Sequence, residues 1–176
     1  MKKYFKPYLY NIKRVQNRSG RDLENGLRLD RNERVDNFSD TILEDVFKSI
    51  PAYMFNTYPE TDIFYKKLSK FSGFPENQLF STEGITGAMK AIFECACNQG
   101  DNVIFPAPSY ALYKIYSKIY QTEPRVVGYK KNYELNFEQL LEYIDEKTKV
   151  VFLPNPNQPI ESFLNLNNLR AIAEKC

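Results

Sequence analysis

"VVFLPNPNQP", Val150–Pro159, sets four apolar residues against a loop of three prolines, two asparagines and a glutamine. The apolar run reads as the tail of a buried strand. Proline has no backbone N–H to give a ladder, so the strand is expected to stop at Leu153 and pass into a stiff loop. In open α/β sheets, ligands bind beyond the carboxyl ends of the strands. Asn155, Asn157 and Gln158 are therefore hydrogen-bonding side chains presented where a ligand would sit.

The chain on either side repeats this plan. "NVIFPAP" (Asn102–Pro108) is a second buried strand ended by prolines, "PRVVGY" (Pro124–Tyr129) a third, and "QLFST" (Gln78–Thr82) a short fourth. Helical spacing links them: about Thr86 to Cys97, then "SYALYKIYSKIY", then "NFEQLLEYI" with Asn136 as a cap, and finally "NNLRAIAEK". Upstream, "SDTILEDVFKSI" places Ile42, Val46 and Ile50 at helical spacing before Pro51, and "TDIFYKKLSKFSG" ends at Gly73. Strands alternating with helices predict an α/β fold, a largely parallel sheet covered on both faces. Residues 1–35 carry no clear period and read as an arm; residues 36–176 read as part of one larger domain. A crossover helix exists to carry the chain to a parallel neighbour, and the last helix here has none. The expectation is the first part of a fold truncated after a crossover helix, or one whose remainder a partner supplies.

Composition narrows the chemistry. With 43% hydrophobic and 26% charged residues the chain is globular, and a formal charge of +2 gives no footing for nucleic acid or an acidic membrane surface. No stretch has the length to span a bilayer or to serve as a signal peptide, which points to the cytoplasm. The chain has no histidine, which excludes histidine-based triads and most zinc sites. Cys95 and Cys97 lie two apart in a helical pattern and do not share a face. With Cys176 they are expected to be buried structural thiols of a reducing compartment, with no metal site.

Two further loops belong with the first. In "STEGITGAMKAI" (Ser81–Ile92) a strand turns at Gly84 into a helix that opens with Thr86 and Gly87. Such a helix end directs backbone N–H groups and positive dipole outward and suits a phosphate, with Gly87 allowing close approach. By itself the segment reads first as a plain capped helix. In "FPAPSYALY" (Phe105–Tyr113), Tyr110 falls just past a strand end. An anion-binding helix end, a ring for stacking and an amide-lined loop on one sheet edge describe a seat for a flat, phosphorylated aromatic molecule.

These loops, in this order, resemble the N-terminal half of the fold-type I pyridoxal-phosphate aminotransferases, with the aspartate aminotransferase-like fold. The likeness covers residues 25–176 and is nearest to the histidinol-phosphate aminotransferase branch. "LDRNE" (Leu29–Glu33) is similar to that branch's early Asn-Glu motif and "NTYPE" (Asn56–Glu60) to its Tyr-Pro-Glu motif. "TEGITGAM" resembles the phosphate loop, "GDNVIFPAPSYALY" the Pro-Ser-Tyr segment, and "FLPNPNQP" the Asn-Pro-rich loop. The resemblance implies pyridoxal 5'-phosphate as cofactor and an enzyme of amino-acid biosynthesis. It would move an amino group between an amino acid or amino-phosphate and a 2-oxo acid.

Carried over by position, Ile85 and Thr86 would offer backbone N–H groups, and Thr86 its hydroxyl, to the cofactor phosphate. Tyr110 would stack on the pyridine ring. The amide that meets the ring's phenolic oxygen falls in the Asn157–Gln158 pair. Tyr58 resembles the tyrosine that reaches the cofactor phosphate of a neighbouring subunit, which implies a homodimer, and Asn32 lies where the family's arm touches substrate. The family's Pro-Thr-Gly continuation is replaced here by Pro159-Ile160-Glu161. Its covalent lysine, its ring-nitrogen aspartate and its carboxylate-binding arginine would all fall after Cys176. Lys70 and Lys118 follow serines but sit in amphipathic patterns and read as solvated, so no catalytic residue is placed in this chain. The chain alone is then expected not to transaminate. Two other readings stand beside this one: an amino-acid phosphate decarboxylase of the same fold, and a non-catalytic remnant or assembly partner.

Overall fold

The computed structural model describes Tyr4, residues 6–13, Gly26 and residues 32–176. It contains two compact units, residues 16–80 and residues 81–176 together with 1–15.

The unit carrying residues 81–176 is built on a parallel sheet of three strands: β1 (Asn102–Pro106), β2 (Glu123–Val127) and β3 (Thr148–Val151), in the order β2-β1-β3. Four helices accompany it: α3 (Gly84–Ala96), α4 (Leu112–Ile119), α5 (Phe137–Tyr143) and α6 (Leu166–Lys175), numbered after two helices of the other unit. Side chains alternate across a strand, and β1 uses both faces. Val103 and Phe105 point into a cluster with Met89 and Phe93 of α3, Leu112 and Tyr113 of α4, and Phe152. Ile104, between them, joins Val127, Leu140, Ile144 and Ile172 on the opposite face. Every residue of β1 is buried. A short, wholly buried strand, apolar after Asn102, is what the middle of a three-layer α/β/α unit requires.

Caps explain several helix boundaries. Asn136 accepts a hydrogen bond from Gln139 N at 3.3 Å at the start of α5. Asn165 and Asn168 form a reciprocal capping box at the start of α6. The amino end of the sheet is closed by a polar cluster. The fully buried Asn102 donates to Asp145 Oδ1 at 2.9 Å and accepts from Thr148 Oγ1 at 2.8 Å. Arg125 reaches Asp145 Oδ2 at 2.7 Å and the Tyr143 carbonyl at 2.6 Å. Hydrogen bonds from Arg125 and then Asn102 hold the Asp145 carboxyl down at about 2.

Three expectations need correction. Gln78–Thr82 is no strand: Gln78 closes a 3-10 turn (Glu76–Gln78), and the residues after it make no ladder. Extended preference becomes a strand only where a partner pairs with it, and β1, β2 and β3 pair among themselves. β3 ends at Val151, two residues before Leu153, although Phe152 N still donates to Ile104 O at 2.8 Å. The cysteines are not buried: Cys95 and Cys176 are exposed and Cys97 is half-buried, its thiol pushed up chiefly by that burial. In the arm, Pro7–Asn11 forms 3-10 turns, while residues 1–3, 5, 14–25 and 27–31 lie outside the described residues.

The unit of residues 16–80 carries α1 (Asp40–Lys48) and α2 (Asp62–Ser72). Ser39 caps α1 through Ile42 N at 3.4 Å, and Gly73 ends α2 at a φ of 77°, a left-handed position that glycine takes without strain. Both helices are amphipathic, yet neither buries a residue.

Candidate functional site

The topology creates the crevice in which the site lies. From β1 the chain runs through α4 to β2 on one side, and after α5 it returns to β3 on the other. The loops leaving β1 and β3 therefore part at a switch point, the place where open α/β sheets hold ligands.

Asn157 stands at the centre of this crevice and is only 3% exposed. Its Oδ1 accepts a hydrogen bond from Ser109 Oγ at 2.7 Å, tying the β3 loop to the β1 loop. Its Nδ2 donates to the Pro108 carbonyl at 3.0 Å and to the Tyr129 hydroxyl. Its backbone N–H donates to Ser162 O at 2.9 Å. Asn155 latches the same loop by a two-way contact with Leu164: Nδ2 to the carbonyl at 3.2 Å, and Oδ1 from the N–H at 3.0 Å. The amides expected to face a ligand thus first organise the loop that carries them. Gln158, beside Asn157, is exposed.

The loop before α3 supplies the second element. Gly84 opens the helix at a φ of 74°, and Thr82 Oγ1 donates to its carbonyl at 2.8 Å. Glu83 at the N-cap makes no side-chain capping bond, so a side-chain cap at that residue is not what is found. Ile85 is exposed and Thr86 partly so. Gly87 differs from the expectation of an open approach: it is buried, and a Cβ built on it would lie 2.8 Å from Glu83 Cδ. The Glu83 carboxyl folds back over the first turn and occupies that space.

Tyr110 is the third element. It is 37% exposed, and its ring stands edge-on to Tyr113 with centroids 6.0 Å apart. Its hydroxyl lies 3.5 Å from Thr86 Oγ1, and Tyr116 Oη donates to the Thr86 carbonyl at 3.4 Å. Thr86, Tyr110 and Asn157 are therefore brought to one edge of one sheet. Asn32 and Tyr58 belong to the other unit; both are exposed, Tyr58 to 96%. Residues 29–31 of the Leu29–Glu33 motif lie outside the described residues.

Sequence reasoning passed over Tyr129, Ser109 and Ser162, which hold the Asn157 loop, and over Glu83. Tyr129 carried a usable signal. It closes "PRVVGY" at a strand's carboxyl end, the same criterion that selected Tyr110. The Thr86–Tyr110, Ser109–Asn157, Asn157–Pro108 and Asn157–Tyr129 contacts involve no lysine, and Lys70 and Lys118 are exposed. Among the described residues, no group of three or more acidic, cysteine or histidine side chains could hold a metal ion. No described helix is long and apolar enough to cross a membrane.

An open parallel α/β layer of this kind defines a class of proteins, and comparison confirms that class. Residues 26–176 match the family "Aminotransferase class I and II", and the chain belongs to that family. It is 29% identical over 167 residues to a histidinol-phosphate aminotransferase of Methanosarcina mazei, covering 93% of this chain and 45% of that protein. It is 31% identical over 122 residues to that of Methanosarcina barkeri, covering 68% of this chain and 33% of that protein. The chain spans less than half the length of these relatives. Among solved structures, it shares its fold with the Sinorhizobium meliloti histidinol-phosphate aminotransferase in complex with pyridoxal-5'-phosphate. The TM-score is 0.67 at 20% identity, over 78% of this chain and 37% of that one. A tyrosine aminotransferase from Leishmania infantum gives the same TM-score at 23% identity, over 78% of this chain and 42% of that one.

Proposed function

We propose that these residues form the cofactor-seating part of a pyridoxal-phosphate-dependent aminotransferase. The whole enzyme would move an amino group between an amino acid or amino-phosphate and a 2-oxo acid. The observation that carries this reading is the meeting of the three loops, through the Thr86–Tyr110 pair at 3.5 Å and the Ser109–Asn157 bond at 2.7 Å.

The donor set fits two parts of the cofactor. Backbone N–H groups of Ile85 and Thr86 at the start of α3, with the Thr86 hydroxyl, would hold the phosphate. Tyr110 would lie against the pyridine ring and exclude water from one face. Asn157 or Gln158 would meet the phenolic oxygen, and for Asn157 the fit is incomplete because its amide is already engaged. When bound, the cofactor supplies the electron sink for the amino-transfer chemistry. What this chain's residues contribute is binding and orientation.

Residues 1–35 would serve as the arm and 36–176 as part of the large domain of a cytoplasmic homodimer. Asn32 would then touch substrate and Tyr58 the partner's cofactor phosphate; both are exposed, as that role needs. With no lysine in the described contacts of Thr86, Tyr110, Ser109 and Asn157, the 176 residues alone are expected to bind pyridoxal phosphate weakly and without a covalent bond. The expected Kd is on the order of a millimolar, and no amino transfer should occur. Borohydride reduction of the mixture tests this. Weak labelling spread over surface lysines agrees with the reading, and stoichiometric labelling of a single lysine overturns the non-covalent part of it.

A further inference from the structure

The first turn of α3 is not held by its own N-cap, since Glu83 makes no side-chain capping bond there. The grip comes from the segment that leaves β1. Tyr110, Tyr113, Tyr116 and Tyr120 recur at three, three and four residues, the spacing that lines one helical face. Thr86 and Phe93, seven apart, share a face of α3 in the same way. Tyr116 stacks on the fully buried Phe93 with centroids 5.9 Å apart and packs against Tyr120 at 6.1 Å. Tyr120 also stacks on Phe93, at 5.4 Å, and its hydroxyl donates to Glu94 Oε1 at 3.1 Å. With its ring packed on both, Tyr116 donates its hydroxyl to the Thr86 carbonyl at 3.4 Å. Thr86 Oγ1 meets the Tyr110 hydroxyl at 3.5 Å. The tyrosine segment therefore holds Thr86 by main chain and side chain together.

We propose that Tyr116 is a positioning residue for the phosphate end of the site. Through Thr86 it fixes the first turn of α3 at the distance from Tyr110 that a phosphorylated ring needs. This rests on the proposed pyridoxal-phosphate site. A phosphate on the Ile85 and Thr86 N–H groups and a ring against Tyr110 belong to one ligand, so the two seats must keep a set separation. A turn already ordered when the ligand arrives spares the cost of ordering it, and preorganised sites bind more tightly for that reason. Two features set the Tyr116 hydroxyl apart from ordinary core packing. Stacking on Phe93 and Tyr120 needs the ring and not the oxygen. The neighbouring Tyr120 hydroxyl goes to Glu94, near the far end of α3, and leaves the first turn to Tyr116.

The test titrates the 176-residue chain with pyridoxine phosphate and with pyridoxine, alcohols that form no Schiff base with surface lysines and differ only in the phosphate. Nuclear magnetic resonance reads the affinities, and circular dichroism checks folding. Wild type should prefer the phosphorylated ligand. Tyr116→Phe keeps the ring and drops the hydroxyl. It should cut that preference roughly threefold to tenfold, the weight of one neutral hydrogen bond, and leave pyridoxine affinity unchanged. Tyr120→Phe, which removes a hydroxyl from the same stripe, should keep the wild-type preference. An undiminished preference in folded Tyr116→Phe, a parallel fall for both ligands, or an equal loss in Tyr120→Phe overturns the positioning role and leaves the cofactor site standing. Should Tyr116→Phe not fold, wild type decides. Its Tyr116 ring resonances should shift with pyridoxine phosphate and not with pyridoxine, and the same response to both overturns the role. Equal or absent binding of the two ligands by wild type overturns the phosphate seat and the positioning role together.

Discussion

Asn157→Ala tests the idea that this residue is as much a structural pin as a ligand contact. The side chain is 3% exposed and makes three hydrogen bonds, to Ser109, Pro108 and Tyr129. A buried hydrogen bond contributes about 1 kcal/mol net, so their loss should cost about 3 kcal/mol. That is a large share of the roughly 5–15 kcal/mol by which a domain is stable. Equilibrium urea unfolding followed by far-ultraviolet circular dichroism measures it, with the midpoint expected to fall at unchanged slope. Lys131→Ala, at an exposed position of the hairpin, serves as the control and should move stability by no more than about 0.5 kcal/mol. A loss below about 1 kcal/mol for Asn157→Ala would refute the reasoning, since it would mean that the contacts are no better than those with water.

Other outcomes follow from the core and the charges. Phe93 is fully buried and stacked with Tyr120 at 5.4 Å and Phe152 at 5.5 Å. Phe93→Ala should cost about 3–5 kcal/mol in the same unfolding assay. Asp145 titrates at about 2, below its ordinary 3.8, so its contribution is complete above 3.8 and lost as pH falls towards 2. Melting temperatures of wild type should fall across that window while those of Asp145→Asn stay nearly level; parallel curves would contradict the Arg125 pairing. Glu83 folds its carboxyl over the first turn of α3, where an anion would approach. Glu83→Gln should therefore tighten pyridoxal phosphate in equilibrium dialysis, most at low salt, and unchanged affinity would show that the carboxylate swings clear at no cost.

Local patterns carried the helices and strands that complete themselves locally or pair at once. Asn136 announces α5 because capping is settled within four residues, whereas α6 was read from its spacing alone and its Asn165 cap went unread. β1 and β3 announce themselves because short apolar runs bounded by proline have few other fates. The segment Gln78–Thr82 shows the limit. Its residue types favour extension, but a ladder depends on a partner that local sequence does not reveal. The site divides in the same way. Motifs pointed to Thr86, Tyr110 and Asn157, whose loops the structure brings together although the segment before Thr86 is no strand. The Tyr129 contact joins residues 28 positions apart and exists only once β2 and β3 flank β1. The cysteines failed for a related reason: thiols are usually buried, and whether a helix face is covered is decided by packing rather than by residue type.

Helices α1 and α2 have apolar stripes and sound termini, yet they bury no side chain. Helices of 9 and 11 residues are marginal in water when nothing packs against them. Their order therefore rests on few buried contacts, and these helices should open more readily than the sheet. Amide protons of residues 40–72 should exchange early while those of β1 remain protected. A dilute protease should cut there first, leaving a resistant core that contains the three loops. The part of the chain that holds the three loops is thus the last to yield, and the part with Tyr58 at its surface is the first.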